Sequence, residues 1–241
     1  MNACIIVPCY NEAKRIPTPA FNSFLSKDSD TQILFVNDGS TDDTAEMLQK
    51  FRTLYPKQVE VLNLEKNLGK GNAVRMGIQN ALHHTDCTVF GFLDADLSTS
   101  LEEWVALTQL ITDKTEFVFG SRFKKIDNSI ERKWFRFVVG RFIATAISKA
   151  LNLAVYDTQC GCKLFSRNAT QLAFASPFIS PWLFDVELFF RLKNHYGTAT
   201  FKAKSMEIPL KNWTHQEDSK IKWTYGFTMW FDLFKIKRAY S

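Results

Sequence analysis

The sequence predicts an α/β protein: a mostly parallel sheet with helices on both faces. Three observations carry this reading. Short apolar runs without polar alternation recur through the first hundred residues, as strands buried on both faces require. Segments with helical spacing of apolar residues stand between them, so strand and helix alternate. The runs also end alike, on Tyr10-Asn11-Glu12, Asn37-Asp38 and Asp94-Ala95-Asp96. Ligands of such sheets bind beyond the carboxyl ends of the strands, and three strands here deliver polar residues to that edge.

In chain order, ACIIVPCYNE predicts a strand from Cys4 to Val7 that stops at Pro8 and opens into a polar loop. Gln32 to Val36 is the second strand. A loop from Asn37 leads to a helix with Thr41 as N-cap and Asp42 and Asp43 in its first turn, where the helix dipole favours them. Val59 to Leu64 is the third strand. NLGKGNAVRMGIQNAL is a glycine-rich turn feeding an amphipathic helix, and CTVFGFLDAD is a fourth strand ending in acid. The second half is less regular. It holds a short strand at Phe117 to Gly120 followed by Ser121-Arg122, a helix from Trp134 to Leu153, and a loop DTQCGCKLF entering a strand. A helix in WLFDVELFFRLKNHY, a final strand in KSMEIPLKNW and a helical tail from Tyr225 to Tyr240 complete it.

A chain of 241 residues, 46% hydrophobic and 23% charged, buries a full core, and no repeat, low-complexity linker or composition break divides it. One domain over 1–241 is expected. The net charge of +5 is uneven: residues 1–120 hold 10 Lys/Arg against 16 Asp/Glu, and residues 121–241 hold 20 against 9. An acidic half suits a divalent cation and a basic half suits phosphate or an anionic membrane, although unequal solvated surfaces give the same pattern. The basic residues accompany aliphatic helical runs rather than a nucleic-acid reading motif, so no nucleic acid is expected.

The five cysteines have no disulfide-framework spacing, and CGC at Cys160 and Cys162 lacks the second Cys/His pair that zinc needs. Reduced, cytosolic thiols are expected. His83, His84, His195 and His215 show no ligand spacing. The first apolar run is too short for a signal peptide. The run from Phe135 to Val155 is interrupted by Arg136, Arg141 and Lys149, so the chain is expected to sit on a membrane at most, not to cross one.

Asp94 and Asp96 are two carboxylates placed side by side at the end of a buried run, an arrangement that is costly without a cation between them. Hard oxygen ligands suit Mg2+ or Mn2+, and such an ion can hold a diphosphate and neutralise the charge developing on a departing nucleotide. The triplet alone is a weak signal. Its place at a strand end, with Asp38 at the equivalent edge, makes it more specific.

IVPCYNE, FVNDGSTDDT, NLGKGNAVRMG and FLDADLS, in that order, resemble the family 2 inverting glycosyltransferases, whose GT-A fold is a Rossmann-like α/β sheet. GSR, DTQCGCKLF, WLFDVEL and NWTHQEDSK extend the resemblance to the dolichyl-phosphate β-glucosyltransferases and their bacterial polyprenyl-phosphate relatives, over nearly the whole chain. The resemblance implies a nucleotide-sugar-binding half at 1–98, an acceptor-binding half at 99–211, and a C-terminal loop and amphipathic tail at 212–241. It implies that Pro8, Tyr10, Glu12 and Asp38 hold the base and ribose, that Lys70 reaches a phosphate, and that Asp94 and Ala95 contact the donor. Asp96 matches the principal metal ligand, beside Asp94.

Arg122, Arg132, Lys163 and Lys220 match cationic positions that serve an acceptor phosphate. Asp157 and Glu187 join Asp94, Asp96 and Arg122 as candidate catalytic residues. Asp185 and Glu187, two apart on a helix, point to different sides, and Glu187 is read as the one facing the cleft. Trp182, Phe184 and Phe189 read as core. Two departures stand out: Ser98 replaces a glutamine that joins the metal shell of mannosyl enzymes, and EDSK replaces a glycine-containing turn before Lys220.

The expected activity is transfer of a hexose, glucose from UDP-glucose, onto a polyprenyl or dolichyl phosphate at the cytoplasmic membrane face, with inversion. A phosphate monoester is already anionic near neutrality, so it needs no general base. It needs cations, which Arg122, Arg132, Lys133, Arg136 and Lys163 supply. Two alternatives stay open. One is a family 2 transferase acting on a polysaccharide or other soluble acceptor, with a placed catalytic carboxylate; the other is a non-catalytic nucleotide-sugar-binding protein. Trp134, Phe135, Phe137, Val138, Phe142 and Ile143 are flanked by Lys133, Arg136 and Arg141; in the tail, Phe227, Trp230, Phe231 and Phe234 stand near Lys235, Lys237 and Arg238. This is the composition of interfacial helices, with packed core helices as the other reading.

Overall fold

The protein is described by a computed structural model that covers residues 2–27, 30–130, 134–214 and 225–240, with 134–139 and 225–227 described by backbone alone. Four parallel strands of the first half, β1 (Ala3–Cys9), β2 (Thr31–Asn37), β3 (Val59–Asn63) and β4 (Val89–Phe92), come in the predicted order, with the predicted helix α3 (Lys70–His84) before β4. Two helices, α1 (Thr18–Leu25) and α2 (Thr44–Leu54), stand between the strands. The second half adds α4 (Leu101–Thr108), β5 (Phe117–Ser121), β6 (Ser129–Ile130), α5 (Trp134–Leu151) and β7 (Lys163–Ser166). It ends with α6 (Arg167–Ala173), α7 (Phe184–Tyr196), α8 (Thr198–Lys204), β8 (Ser205–Pro209), β9 (Asn212–Trp213) and α9 (Tyr225–Tyr240).

Seven strands form one sheet in the order β3-β2-β1-β4-β7-β5-β8, and β6 and β9 form a separate pair. The sheet is parallel except for β7, which runs antiparallel to both of its neighbours. Alternate residues of each strand enter different cores, because side chains alternate across a strand. Cys4, Ile6, Phe90, Phe92 and Phe165 pack on one face with α3, α6 and α7, while Ile5, Val7, Phe35, Val89 and Leu164 pack on the other with Phe21, Phe51 and Trp104. Helices therefore cover both faces, as predicted.

Several boundaries differ from the expectation. β1 runs through Pro8 to Cys9, because β4 pairs only with Ala3–Ile6 and no ladder remains on that side for the proline to interrupt. Thr41 does not cap α2. That helix begins at Thr44, whose N–H and hydroxyl both donate to Asp42 Oδ1 (3.1 and 2.5 Å), while the Thr41 N–H donates to Asn11 Oδ1 (2.8 Å). β4 ends at Phe92, two residues before Asp94. The expected last strand splits into β8 and β9, and α1, α4, α6, α8 and β6 were not foreseen.

Candidate active site

The carboxyl ends of β1, β2 and β4 meet at a cleft of about 380 Å³. Pro8, Tyr10 and Glu12 reach it from β1, Asp38 from β2, Lys70 from the start of α3, and Asp94, Ala95 and Asp96 from β4. Every donor-site residue expected from the sequence lines this one cavity. The loops are tied to each other: the Asn11 N–H donates to Ser40 Oγ (3.0 Å), and the Glu12 N–H donates to Thr44 Oγ1 (2.8 Å).

Asp38 grips the glycine-rich turn. Its Oδ1 accepts the Leu68 N–H (2.7 Å) and its Oδ2 the Gly69 N–H (3.0 Å), one residue before Lys70. Burial pushes the Asp38 carboxyl up, against the pull of these two donors. Gly69 has φ +83, a left-handed conformation that glycine adopts without a steric cost.

Both acids of the pair meet a cation. Lys70 Nζ lies 2.5 Å from Asp94 Oδ1, and Arg15 Nη2 lies 3.5 Å from Asp96 Oδ2. Burial alone would raise the Asp94 carboxyl, but Lys70, with Lys163 and Arg122 behind it, holds it below the usual carboxylate range. The same proximity raises Lys70 against its own burial. Asp96 Oδ1 accepts the Ser98 N–H (3.0 Å) and hydroxyl (2.9 Å), so Ser98 orients Asp96. Leu97, between them, takes a positive φ of 50°, a strained conformation for a leucine, at the turn that aims the acid.

Behind this front row lies a second set of charges. Arg122 forms a bidentate pair with Asp157: its Nε lies 2.6 Å from Oδ2 and its Nη2 2.8 Å from Oδ1. The guanidinium also lies 5.5 Å from the centre of the Trp213 ring. Lys163 is wholly buried; its Nζ donates to Asp185 Oδ1 and to the Cys160 carbonyl, both at 2.6 Å. Burial raises the Asp185 carboxyl even with Lys163 beside it. Lys163 therefore lies beneath the cleft and not at its surface, a correction to its expected place at an acceptor phosphate.

Glu187 is likewise moved. Its carboxylate accepts from the Ile179 N–H (2.8 Å), Arg191 (2.7 Å) and the Tyr240 hydroxyl (2.7 Å), inside the packing of α7 and α9 and away from the cleft. Asp185 is the acid on the cleft side of α7, because the two point to different sides of the helix. Phe184 and Phe189 are core, as read, but Trp182 lines the cleft. Arg132 and Lys220 lie outside the described residues.

Sequence reasoning missed Arg15, Gly161, Trp182 and Asp185. Arg15 carried a signal, as a cation just after the first acidic loop in an otherwise acidic half. Gly161 lies inside CGC, between two cysteines that carry the stronger sequence signal. The described cysteines are all free and buried, and no group of three or more His, Cys, Asp or Glu among the described residues is placed to hold a metal.

The sheet is mixed but mainly parallel, with the acidic pair just beyond the carboxyl end of β4, and the sequence model of glycosyl transferase family 2 matches residues 4–172. The chain belongs to that family. Among curated proteins it is similar to human dolichyl-phosphate β-glucosyltransferase, 32% identical over 98% of this chain and 75% of that one. A Trichomonas vaginalis dolichyl-phosphate β-glucosyltransferase is 31% identical over 96% and 69%. Among solved structures, glucosyl-3-phosphoglycerate synthase from Mycobacterium tuberculosis in complex with uridine diphosphate shares the fold. Its TM-score is 0.66 at 18% identity, over 98% of this chain and 80% of that one. The same enzyme in complex with Mn2+, uridine diphosphate and glucosyl-3-phosphoglycerate gives a TM-score of 0.62 at 19% identity, over 98% and 76%.

Proposed function

We propose that the protein is an inverting glucosyltransferase that moves glucose from UDP-glucose onto a polyprenyl phosphate at the cytoplasmic face of a membrane. The observation that carries this reading is the convergence of Asp38, Lys70, Asp94 and Asp96 on one cleft in a chain whose curated relatives are dolichyl-phosphate β-glucosyltransferases. Pro8, Tyr10 and Glu12 form the wall for the base and ribose, and Asp38 fixes the turn that aims Lys70 at the diphosphate.

Asp94 and Asp96 fit a divalent ion: both are hard oxygen donors, both line the cleft, and Asp94 is held anionic by its surroundings. They would hold Mg2+ or Mn2+, which supplies neutralisation of charge on the departing diphosphate. Ser98 keeps Asp96 turned to the cleft, and Lys70 is placed to exchange its carboxylate partner for a phosphate oxygen. The acceptor phosphate needs no base. Asp157 and Asp185, the acids behind the pair, are engaged by Arg122 and Lys163, which disfavours a mechanism built on a general base. An acceptor phosphate would have to draw Arg122 out of its pair with Asp157 before that charge could serve it.

The outer face of α9 supports a peripheral place on lipid. Met229, Leu233 and Ile236 are buried, while Trp230, Phe231 and Phe234 are 50%, 71% and 64% exposed, beside Lys235, Lys237 and Arg238. Phe142 of α5 is 73% exposed. Among the described residues no helix is long and apolar enough to cross a membrane.

The test is a matrix of donors (UDP-glucose, UDP-galactose, GDP-mannose) against polyprenyl phosphate and unphosphorylated polyprenol, with the product anomer read by NMR. Transfer from UDP-glucose to the phosphate alone, with inversion, is expected. Equal transfer to the free alcohol would overturn the acceptor assignment.

A further inference from the structure

One buried connection joins α9 to the turn that opens α7. Ser180 is fully buried, and its hydroxyl donates to Asp232 Oδ2 on α9 at 2.8 Å. The same oxygen accepts the N–H groups of Leu183 (3.1 Å) and Trp182 (3.4 Å) at the entrance to α7. A hydroxyl has one proton to donate and two lone pairs to offer. The Asp232 carboxylate can only accept, so it fixes where the proton points and leaves the lone pairs for the two backbone donors.

Pro181, inside this turn, rests on the glycine-rich loop. Its carbonyl accepts the Gly71 N–H at 3.1 Å, and a Cβ at Gly69 would stand 2.8 Å from the Pro181 Cβ. Gly71 is packed as tightly on Phe184, where an added Cβ would also come to 2.8 Å. Lys70 lies between these two glycines, and Trp182 lines the cleft directly. With a direct hydrogen bond and no room for even a methyl group at either glycine, a shift of the Ser180 turn moves Trp182 and is passed to the loop bearing Lys70.

We propose that Asp232 is a positioning residue for the donor site: its bond to Ser180 sets the 180–183 turn, and through it the place of Trp182 and Lys70. The proposal rests on the cleft being the UDP-glucose site. It makes α9 part of the donor-binding apparatus, although none of the described side chains of α9 lines the cleft cavity.

The experiment measures UDP binding by calorimetry, donor and acceptor KM, and thermal unfolding on the full chain. Asp232→Ala should weaken UDP binding and raise the donor KM by about 5- to 20-fold, the low end of coupling between linked sites, with the acceptor KM changed less. Asp232→Asn keeps an acceptor for the hydroxyl and should restore donor affinity to within about twofold. Asn194→Ala removes a different α7–α9 bond, Nδ2 to the Tyr240 carbonyl at 2.7 Å, and should leave donor affinity unchanged. If Asp232→Ala does not fold, Ser180→Ala is read in the same way. Lower melting temperature with unchanged UDP affinity in either alanine variant overturns the proposal, because a purely structural bond behaves so. A wild-type protein that does not bind UDP overturns the donor reading and the proposal with it.

Discussion

Gly161 lies against the carboxylate of Asp94 so closely that a Cβ at position 161 would stand 2.6 Å from Asp94 Cγ. The glycine of CGC is thus a wall of the acidic pair, supplied by the loop that enters β7. Gly161→Ala should push the Asp94 carboxylate off its position. Overpacking costs about 1–3 kcal/mol; falling on the site, it corresponds to a loss of roughly 5- to 150-fold in kcat/KM. Steady-state kinetics beside a melting curve check this, with the fall in activity outrunning the fall in stability.

Asp96→Asn should lower turnover by at least ~100-fold at saturating Mg2+ or Mn2+, beyond the 10- to 100-fold typical of residues that merely support a metal ligand. Asp94→Asn should weaken donor binding as well as rate, because it also releases Lys70 from its 2.5 Å contact. Near-normal turnover of Asp96→Asn with added metal would refute the metal assignment.

The buried pair of Lys163 and Asp185 makes a distinct prediction. Lys163→Met leaves an acid in the interior without its cation, and removing one partner of such a pair costs about 3–5 kcal/mol. The double variant with Asp185→Leu should recover most of that loss. Chemical denaturation of both single variants and the double variant measures it; additive losses would show that the two side chains do not act as a pair.

Glu116 should shape stability in acid. Burial alone would raise its carboxyl, but Lys204, the Tyr196 hydroxyl (2.6 Å) and Asn168 (2.8 Å) hold it at about 2. Its folded pKa is therefore below the unfolded value of 4.5. The stability it contributes is complete above that value and is lost as the pH falls from about 4.5 towards 2. Glu116→Gln should be less stable than wild type at pH 6 by about 1–2 kcal/mol, with the gap closing across that acid window. Urea unfolding at several pH values reads the closure.

Flotation with anionic liposomes should carry the protein up at low salt and less at high salt. Replacing Trp230, Phe231 and Phe234 together by serine should reduce binding by about 10-fold or more, since burial of one large apolar side chain is worth about 1.5–3 kcal/mol. No flotation of the wild-type protein at low salt would assign α9 to packing alone.

The site's front row was legible because it is local. A residue that follows a buried strand in a parallel sheet stands at the ligand edge whatever the rest of the chain does, so Tyr10, Asp38, Asp94 and Asp96 could be placed from sequence. Lys70 followed from its glycines. Lys163 and Glu187 could not be placed, because an ionisable side chain reads as exposed until its partner is known, and Asp185 and Tyr240 come from other elements. The direction of β7 was hidden for a similar reason: four apolar residues look alike read from either end, and only pairing with Phe90 and Phe117 fixes the sense of Lys163–Ser166.

That antiparallel strand has a consequence for synthesis. The strands β3, β2, β1 and β4 are neighbours in the sheet and all lie in the first 92 residues, so they can assemble as soon as they leave the ribosome. β4 then presents an open apolar edge until β7 covers it, and Lys163 is made about 70 residues after Asp94. At roughly 5–20 residues per second the nascent chain carries that edge for ~3–14 s. An uncovered strand edge pairs readily with other chains. The acidic pair is thus born seconds before Gly161 and Lys163 arrive to hold it, and slow translation between residues 99 and 162 lengthens the interval in which nascent chains can aggregate.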